Sequence, residues 1–367
     1  MTGTSRLVVG CMSGTSCDAV DAALVRVDIE ERSIGTRVEG HGSEPLGPTG
    51  EALRRFSHGE ALTAKKIAAL RIDLAAAHAA AIDRVADAQP IDLIACHGQT
   101  VHHAPPLSWQ MFAAAPIAAR FGAPVVFDLR SADLAAGGQG APITPLADSV
   151  LYGPHAPAAV VNLGGFCNIT LLDGPGMVRG QDLCACNQLL DAAARRWLRE
   201  PYDSEGAAAG RGRIDLFLAG ELKMALASQA SLGRSLGTND EGLGLLDALD
   251  RLGPEDALAT LASAIGATIG RAASVMRTVV LAGGGIRHAP LVRAIEEAAV
   301  GARVVRSDDL GVPAQAREAA GIAVLGVLCL EGVPITLPGV TGVHGPAPVA
   351  GSWALPPDGS WEVRRRG

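Results

Sequence analysis

The N-terminal segment from Leu7 to Leu24 constrains the fold of this chain most. Its sequence, LVVGCMSGTSCDAVDAAL, is an apolar run that breaks at a Gly-Thr-Ser turn, residues 14–16. It then returns to an alternating segment that contains Asp18 and Asp21. Apolar runs on either side of small polar residues are typical of two strands joined by a turn. The segment therefore predicts a strand, a turn of the size of a phosphate group and a second strand.

The residue types in this turn suit a phosphate ligand. Gly14 lets the backbone approach a ligand closely, while Ser13, Thr15 and Ser16 offer hydroxyl and N–H groups. The carboxylate of Asp18 can hold a metal ion. Together these groups suit a triphosphate with its Mg2+ ion. An ordinary hairpin turn rich in small polar residues explains the same pattern equally well on turn statistics alone.

The composition indicates a globular protein with two domains. The chain has 367 residues, of which 48% are hydrophobic and 19% charged, so it can bury two cores. Its net charge of -7 gives no basic surface, and we expect no nucleic-acid partner. The sequence has neither a bilayer-length apolar stretch nor a signal-like N-terminus, so we expect no membrane partner and a cytoplasmic location. Seven scattered cysteines favour reduced thiols.

The lysines exclude one class of nucleotide site. The chain contains three of them, and none follows a glycine-rich turn in the G-x-x-x-x-G-K-[ST] pattern of a P-loop. Any bound phosphate must therefore be met by backbone N–H groups, hydroxyls, arginines and a metal ion.

The order of predicted elements favours an α/β protein that uses one pattern twice. Hydrophobic periodicity predicts strands at 7–10, 21–27, 93–96, 124–127, 158–163, 169–172 and 278–281. It predicts helices at 61–88, 187–199, 256–275 and 316–331. Two units of strand, glycine turn and strand, at 8–24 and 160–172, suggest an internal duplication. We expect domains at 1–150 and 151–367, and the domain joined by the C-terminal helix stays open.

Two further glycine turns follow predicted strands. The segment NLGGFCN places Gly164 and Gly165 after Asn162, a pattern that exposes consecutive N–H groups to an anion. A triple glycine, residues 283–285, follows the apolar run TVVLA and also fits a tight strand-to-helix turn. It does not match the G-x-G-x-x-G spacing of a dinucleotide site, because Arg287 and His288 occupy the following positions.

Six motifs together resemble one protein family along nearly the whole chain. They are GCMSGTSCDAVDAAL at 10–24, CHGQTVHH at 96–103, FDLRSADLAAGGQGAP at 127–142, VNLGGFCNIT at 161–170, GGGIRH at 283–288 and LPGVTG at 337–342. The chain resembles the anhydro-N-acetylmuramic acid kinases. This resemblance implies an α/β, two-domain actin-like ATPase (ribonuclease H-like) fold with an interdomain nucleotide cleft.

The resemblance also implies a reaction and its cofactors. These kinases use ATP and Mg2+ to open the 1,6-anhydro ring of anhydro-N-acetylmuramic acid with water and to phosphorylate O6. The product is N-acetylmuramic acid 6-phosphate, in the recycling of cell-wall sugar, and the family suggests a homodimer. Because the chain departs from the family at several positions, a non-catalytic sugar or nucleotide sensor and a kinase of a different sugar remain alternatives.

The resemblance assigns roles to residues of both domains. In the first domain it implies nucleotide contacts from Gly14, Thr15, Ser16, Cys17, Asp18, Ala19, Val20 and Asp21. It also implies that Asp18 holds the metal ion, and that the sugar is contacted by His97, Gln99, Arg130 and Asp133. In the second it implies a phosphate loop with Asn162, Gly164 and Gly165, an adenosine wall of Gly283, Gly284 and Gly285, and Asp182 as general base.

Two of these assignments have plain structural alternatives. Arg130 suits the lactyl carboxylate of a muramic acid, because a guanidinium meets a carboxylate in a two-point fork. It could equally form a surface ion pair with Asp128 or Asp133. Asp182 could instead order the turn before the helix that begins near Asn187.

The loop after Asp182 departs most from the family pattern. The family has Thr-Gly-Pro-Gly-Asn here, whereas this chain has Leu183-Cys-Ala-Cys-Asn187. If the backbone kept the conformation that suits glycine, we would expect strain at Cys184 or Cys186. A Cys-x-Cys pair could also be a metal or redox site, although no second pair lies at zinc-site spacing. A further departure places His288 where the family has asparagine.

Overall fold

A computed structural model describes residues 3–31, 33–87, 89–174, 176–230, 236 and 242–357. These residues form two compact units. The first contains the chain up to Leu151 and the described residues from Gly311 onward, and the second extends from Tyr152 to Leu310. Ser231, Gly233 and Arg234, which match a further motif of the family that the sequence resembles, lie outside the described residues, as does a cluster of three arginines at 364–366.

The strands and helices have the following bounds. The strands are β1 Thr4–Ser13, β2 Ala19–Ile29, β3 Ile34–Pro45, β4 Leu93–Ala104, β5 Leu107–Met111, β6 Val125–Phe127, β7 Ala158–Leu163, β8 Phe166–Gly174, β9 Met177–Ala185, β10 Thr278–Ala282, β11 Arg303–Arg306 and β12 Ser352–Ala354. The α-helices are α1 Gly47–Ser57, α2 Ala64–Ala86, α3 Ala114–Phe121, α4 Ser131–Ala135, α5 Thr144–Tyr152, α6 Asn187–Trp197, α7 Leu216–Ala230, α8 Pro254–Ala273, α9 Ala289–Ala298, α10 Arg317–Leu330 and α11 Pro338–Thr341. Short 3-10 helices span Gly153–His155, Ser204–Gly206, Ala209–Arg211, Leu243–Leu249, Gly284–Arg287 and Ser307–Leu310.

A mixed sheet forms the centre of the first unit. Its strand order is β12-β6-β4-β1-β2-β3, and β5 pairs with the end of β4. Strands β1, β2 and β3 are antiparallel neighbours, whereas β4 and β6 run parallel to β1. The parallel strands are joined through helices, which cover the sheet and explain why Val8 and Val9 of β1 are fully buried.

Helix α10 returns the C-terminal part of the chain to the first unit. All its residues from Ala319 to Cys329 are buried, as expected for a helix that is apolar on every side. It packs closely on β1, because a Cβ at Gly10 would overlap backbone atoms of Ala319 and Ala323. The second unit is therefore shorter than the expected range 151–367.

The second unit repeats the topology of the first. Its strand order is β11-β10-β7-β8-β9. Strands β7, β8 and β9 are antiparallel neighbours, and β10 and β11 run parallel to β7. The order β3-β2-β1-β4-β6 of the first unit has the same directions. The two units therefore share one α/β topology, as the repeated strand-turn-strand pattern of the sequence predicts.

The helices of the described residues include none that is long and apolar enough to cross a membrane.

Candidate functional site

The hairpin between β1 and β2 has the predicted strand, turn and strand. The two strands pair up to Ser13 opposite Val20, and the turn closes with a 3.1 Å hydrogen bond from the Cys17 N–H to the Gly14 carbonyl. Thr15 and Ser16 at its tip are exposed. Their hydroxyl and N–H groups are therefore placed where a phosphate group can reach them.

Asp18 lies at the edge of this turn with its side chain 73% exposed. The nearest cationic group is Arg54, whose Nη2 lies 3.9 Å from the Asp18 Oδ1. Cys17 and Val20 are also predicted to contact the nucleotide, but unlike the exposed Asp18 their side chains are buried in the hydrophobic core. Burial raises the pKa of Cys17 to about 11. Any ligand contact by these two residues would use main-chain atoms.

The rest of the hairpin contributes partly buried positions. Gly14, Ala19 and Asp21 are all half-buried. Burial raises the pKa of the Asp21 carboxyl, while a hydrogen bond from Ser43 opposes that shift. The Asp21 side chain is thus engaged with the neighbouring strand β3, which contains Ser43.

Gln99 is fully buried beneath the same turn. Its Oε1 accepts a 2.5 Å hydrogen bond from the Ser13 hydroxyl. Its Nε2 lies 3.1 Å from the Gly14 carbonyl and 3.2 Å from the Thr100 carbonyl, to which it donates. The sequence places Gln99 among sugar contacts, but in the structure its amide holds the end of β1.

His97 and Arg130, two predicted sugar residues, are in direct contact. The Arg130 Nε donates to the His97 Nε2 at 2.9 Å, which leaves the Nδ1–H of His97 to donate to the Gly98 carbonyl at 2.9 Å. The pKa of His97 is lowered to about 3, mainly by burial and then by the charge of Arg130. His97 is therefore a neutral acceptor that orients the guanidinium.

Asp133 connects the same region to the LPGVTG motif. It is fully buried, and its Oδ2 accepts a 2.7 Å hydrogen bond from the Gly140 N–H. Its Oδ1 accepts a 2.7 Å hydrogen bond from the Thr341 hydroxyl. The Gly140 carbonyl accepts from the Arg130 Nη1 at 2.7 Å. Asp133 thus anchors the loop that holds Arg130, and Thr341 is a supporting residue that the sequence analysis did not single out.

In the second unit, the glycine turn between β7 and β8 is tied to the start of α6. The Gly164 carbonyl accepts from the Asn187 N–H at 3.0 Å, and the Gly165 carbonyl accepts from the Cys186 N–H at 2.9 Å. The Asn187 side chain also donates to the Leu163 carbonyl at 2.7 Å. These bonds fix the predicted second phosphate loop, with Gly165 exposed.

The triple glycine packs against this loop. A Cβ at Gly283, where φ is +84°, would lie 2.6 Å from the Asn162 Oδ1. A Cβ at Gly285 would lie 2.8 Å from the Asn187 Oδ1. Gly284 is exposed instead. The structure therefore brings the predicted adenosine glycines and Asn162 together, and it adds Asn187 as a supporting residue.

Asp182 lies in strand β9 opposite Asn168. Its Oδ2 accepts a 2.7 Å hydrogen bond from the Leu236 N–H. The residue before α6 is Cys186, whose side chain makes no capping hydrogen bond. The Asp182 carboxylate is thus held by the main chain of a residue distant in sequence.

The backbone strain that was expected at Cys184 or Cys186 does not occur in the structure. Cys184 is part of β9, and Cys186 has φ of −131°, so neither residue has the left-handed conformation. Both side chains are fully buried, and burial raises the pKa of Cys184 to about 12. Among the described residues, no group of three metal-ligating side chains occurs. The two thiols thus pack in the core.

His288 caps helix α9 in this unit. Its Nδ1 accepts from the Leu291 N–H at 3.2 Å, and its Nε2 lies 3.8 Å from the Asp203 Oδ2. The His288 side chain is 9% exposed, and burial lowers its pKa. The substitution of histidine for the usual asparagine is therefore absorbed into the packing of this unit.

Comparison with known proteins decides the family. The model of the family described as anhydro-N-acetylmuramic acid kinase matches residues 6–353. The chain belongs to this kinase family. A curated relative from Bordetella pertussis with the same description is 40% identical, covering 92% of this chain and 93% of its own. A relative of that description from Salinibacter ruber is 35% identical, covering 96% of this chain and 96% of its own. Another, from Rhizorhabdus wittichii, is also 35% identical and covers 94% of this chain and 97% of its own.

Proposed function

We propose that this kinase uses ATP to open the 1,6-anhydro ring of 1,6-anhydro-N-acetylmuramic acid with water and to phosphorylate O6. The product is N-acetylmuramic acid 6-phosphate, which returns cell-wall sugar to metabolism. The observation that carries this proposal is Asp182, retained in a chain that matches the family over residues 6–353 and held at its Oδ2 by the Leu236 N–H.

Asp182 is proposed to take a proton from the attacking water. The water oxygen forms a bond to C1, and the C1–O6 bond breaks with its electron pair going to O6. O6 then forms a bond to the γ-phosphorus of ATP, and the bond to the β-phosphate oxygen breaks to release ADP. A fixed carboxylate suits the first step, because general-base catalysis requires a proton acceptor in a defined position.

The hairpin of the first unit is proposed to hold the ATP phosphates. The exposed Thr15 and Ser16 offer donors, and the exposed carboxylate of Asp18 is a hard oxygen ligand that fits Mg2+. When bound, Mg2+ supplies charge neutralisation for the transferred phosphoryl group. Asn162, Gly164, Gly165 and the glycines 283–285 of the second unit are also proposed to contact the nucleotide.

Arg130 is proposed to recognise the lactyl carboxylate of the sugar. Its Nε is occupied by His97 and its Nη1 by the Gly140 carbonyl, so its plane is fixed from two directions. A fixed guanidinium pairs with a carboxylate at low entropic cost. Asp133 supports this arrangement through Gly140.

We also propose that the enzyme works as a cytoplasmic homodimer. ATP is available to enzymes inside the cell, and the resemblance to the family suggests that two copies of the chain associate. Light scattering of the purified protein at several concentrations measures the oligomeric state, and a monomer throughout would refute this proposal.

The Asp182→Asn variant tests the proposed function. We expect kcat for ADP release to fall about 100- to 10,000-fold, because the amide cannot accept the proton. KM for ATP should stay within about twofold. Asp173→Asn, on neighbouring strand β8 with an exposed ion pair to Arg179, is the matched control and should retain full activity. Full turnover by Asp182→Asn would overturn the general-base role, and binding without ADP release by the unsubstituted protein would favour a sensor.

A further inference from the structure

The Gln99 side chain links β4 to the turn that follows β1. It is fully buried, and its amide makes hydrogen bonds on both sides: Oε1 with the Ser13 hydroxyl, and Nε2 with the carbonyls of Gly14 and Thr100. A buried amide with partners at both ends is fixed in orientation, because breaking either bond leaves a buried polar atom unsatisfied.

A bulge in β4 aims this side chain. Cys11 pairs with Cys96, and the next pair along the two parallel strands is Ser13 with Gln99. Strand β4 therefore contains one more residue than β1 in this interval. Within it, Gly98 has φ of +75°, a conformation that favours glycine. Such bulges redirect side chains, and this one brings Gln99 opposite the last residue of β1.

The bonds at the Gly14 carbonyl determine where the next N–H group points. Two donors hold this oxygen at 3.1 Å, the Nε2 of Gln99 and the N–H of Cys17. The C=O and N–H groups of a trans peptide point in opposite directions. Holding the Gly14 carbonyl towards Gln99 therefore directs the Thr15 N–H away from it, at the exposed tip of the turn.

We propose that Gln99 is a positioning residue for the phosphate turn, which it holds through Ser13 and Gly14, and that it does not contact the sugar. This inference rests on the proposed function, in which the turn binds the phosphates of ATP. Gln99 aligns the main-chain donors of the turn before the nucleotide arrives. Its loss then weakens nucleotide binding and leaves recognition of the sugar intact.

Steady-state kinetics of Gln99→Leu separate the two roles. We expect KM for ATP to rise roughly tenfold, because the two neutral hydrogen bonds that join Gln99 to Ser13 and Gly14 are lost, with KM for the sugar within about twofold. The matched control is Gln110→Leu, because Gln110 lies on neighbouring strand β5 and bonds to Thr100 and Ser108 instead. It should leave both constants unchanged.

Ser13→Ala provides a second, smaller change to the same network. It removes the partner of the Gln99 Oε1 only, and we expect a smaller rise in KM for ATP. The double variant Ser13→Ala/Gln99→Leu should show less than the sum of the two single effects, because the residues act through one bond. If Gln99→Leu fails to fold, the Ser13→Ala result alone decides: an unchanged KM for ATP would refute the inference.

Direct binding distinguishes this inference from the proposed function. Titration calorimetry of Mg-ADP with the unsubstituted protein and with Gln99→Leu should show roughly tenfold weaker binding by the variant. Equal binding, or a rise confined to KM for the sugar, would overturn the positioning role and leave the kinase function in place. An unsubstituted protein that neither binds Mg-ADP nor releases ADP from ATP would instead refute the proposed function, and the inference with it.

Discussion

Removing the Arg317 guanidinium tests how the C-terminal helix is held in the first unit. Arg317 opens helix α10, and its Nε donates to the Asp148 Oδ1 of helix α5 at 3.0 Å. Its Nη2 donates to the other carboxylate oxygen of Asp148. Both side chains are 1% exposed, so water cannot replace either partner. The pair joins two helices that are 169 residues apart in sequence.

The expected loss in the free energy of unfolding follows from this burial. Arg317→Met leaves the Asp148 carboxylate buried without its cation, and breaking such a pair costs about 3–5 kcal/mol. This is a large part of the roughly 5–15 kcal/mol by which a native domain is stable. The double variant Asp148→Leu/Arg317→Met removes both charges, and it should lose much less than Arg317→Met alone, because no unpaired charge remains.

Urea unfolding of the variants measures this cost. With a slope of about 2–3 kcal/mol per M, the midpoint of Arg317→Met should fall by roughly 1–2 M at an unchanged slope. The matched control is Arg120→Met, which removes an arginine whose ion pair with Asp83 is about half exposed. It should leave the midpoint unchanged. An equally small shift for Arg317→Met, or a double variant less stable than the single one, would refute the reasoning.

Three further outcomes are expected. Gly10→Ala should destabilise the first unit by about 1–3 kcal/mol in thermal unfolding, because the new methyl group overlaps Ala319, and an unchanged Tm would contradict this packing. Burial lowers the pKa of His78 to about 4 and that of His97 to about 3, from 6.5. The unfolded chain therefore gains protons near pH 6.5 that the folded chain does not, so stability is complete above that pH and is lost as the pH falls towards 4. Urea midpoints at pH 8 and pH 5 measure this loss, and equal midpoints would exclude it. Asp18→Asn should raise the Mg2+ concentration needed for half-maximal ADP release, whereas an unchanged Mg2+ dependence would exclude Asp18 as a ligand.

Much of the fold follows from the sequence because its strands are apolar and its turns are rich in glycine. The hairpin at 7–24 and helix α10 were both predicted from such patterns, and the structure confirms them. Strand β3 was not predicted, since its sequence IGTRVEGHGSEP contains few apolar residues and forms the edge of its sheet. The sequence did not determine which unit helix α10 joins, because this depends on tertiary packing, which a local sequence pattern does not contain.

The candidate site was less predictable because its contacts join residues distant in sequence. The CHGQT motif identified Gln99, but its burial and its bonds to Ser13 and Gly14 depend on a bulge in β4. Similarly, the sequence left open whether Asp182 orders the turn before α6, and strand β9, in which Asp182 pairs with Asn168 of β8, was not among the predicted strands. A one-residue shift in register decides which side chains face a site, and hydrophobic periodicity alone does not fix that shift.

Coupled ADP release in oxygen-18 water is the measurement that tests the central claim most directly. The purified enzyme is supplied with ATP, Mg2+ and 1,6-anhydro-N-acetylmuramic acid, and the phosphorylated product is analysed by mass at early times. Unlabelled product incubated in the same water is the control for exchange at C1. We predict one ADP and one solvent oxygen in each molecule of sugar phosphate, as required if Asp182 directs water to C1. Label in free phosphate, or ADP release without a labelled sugar, would contradict the account.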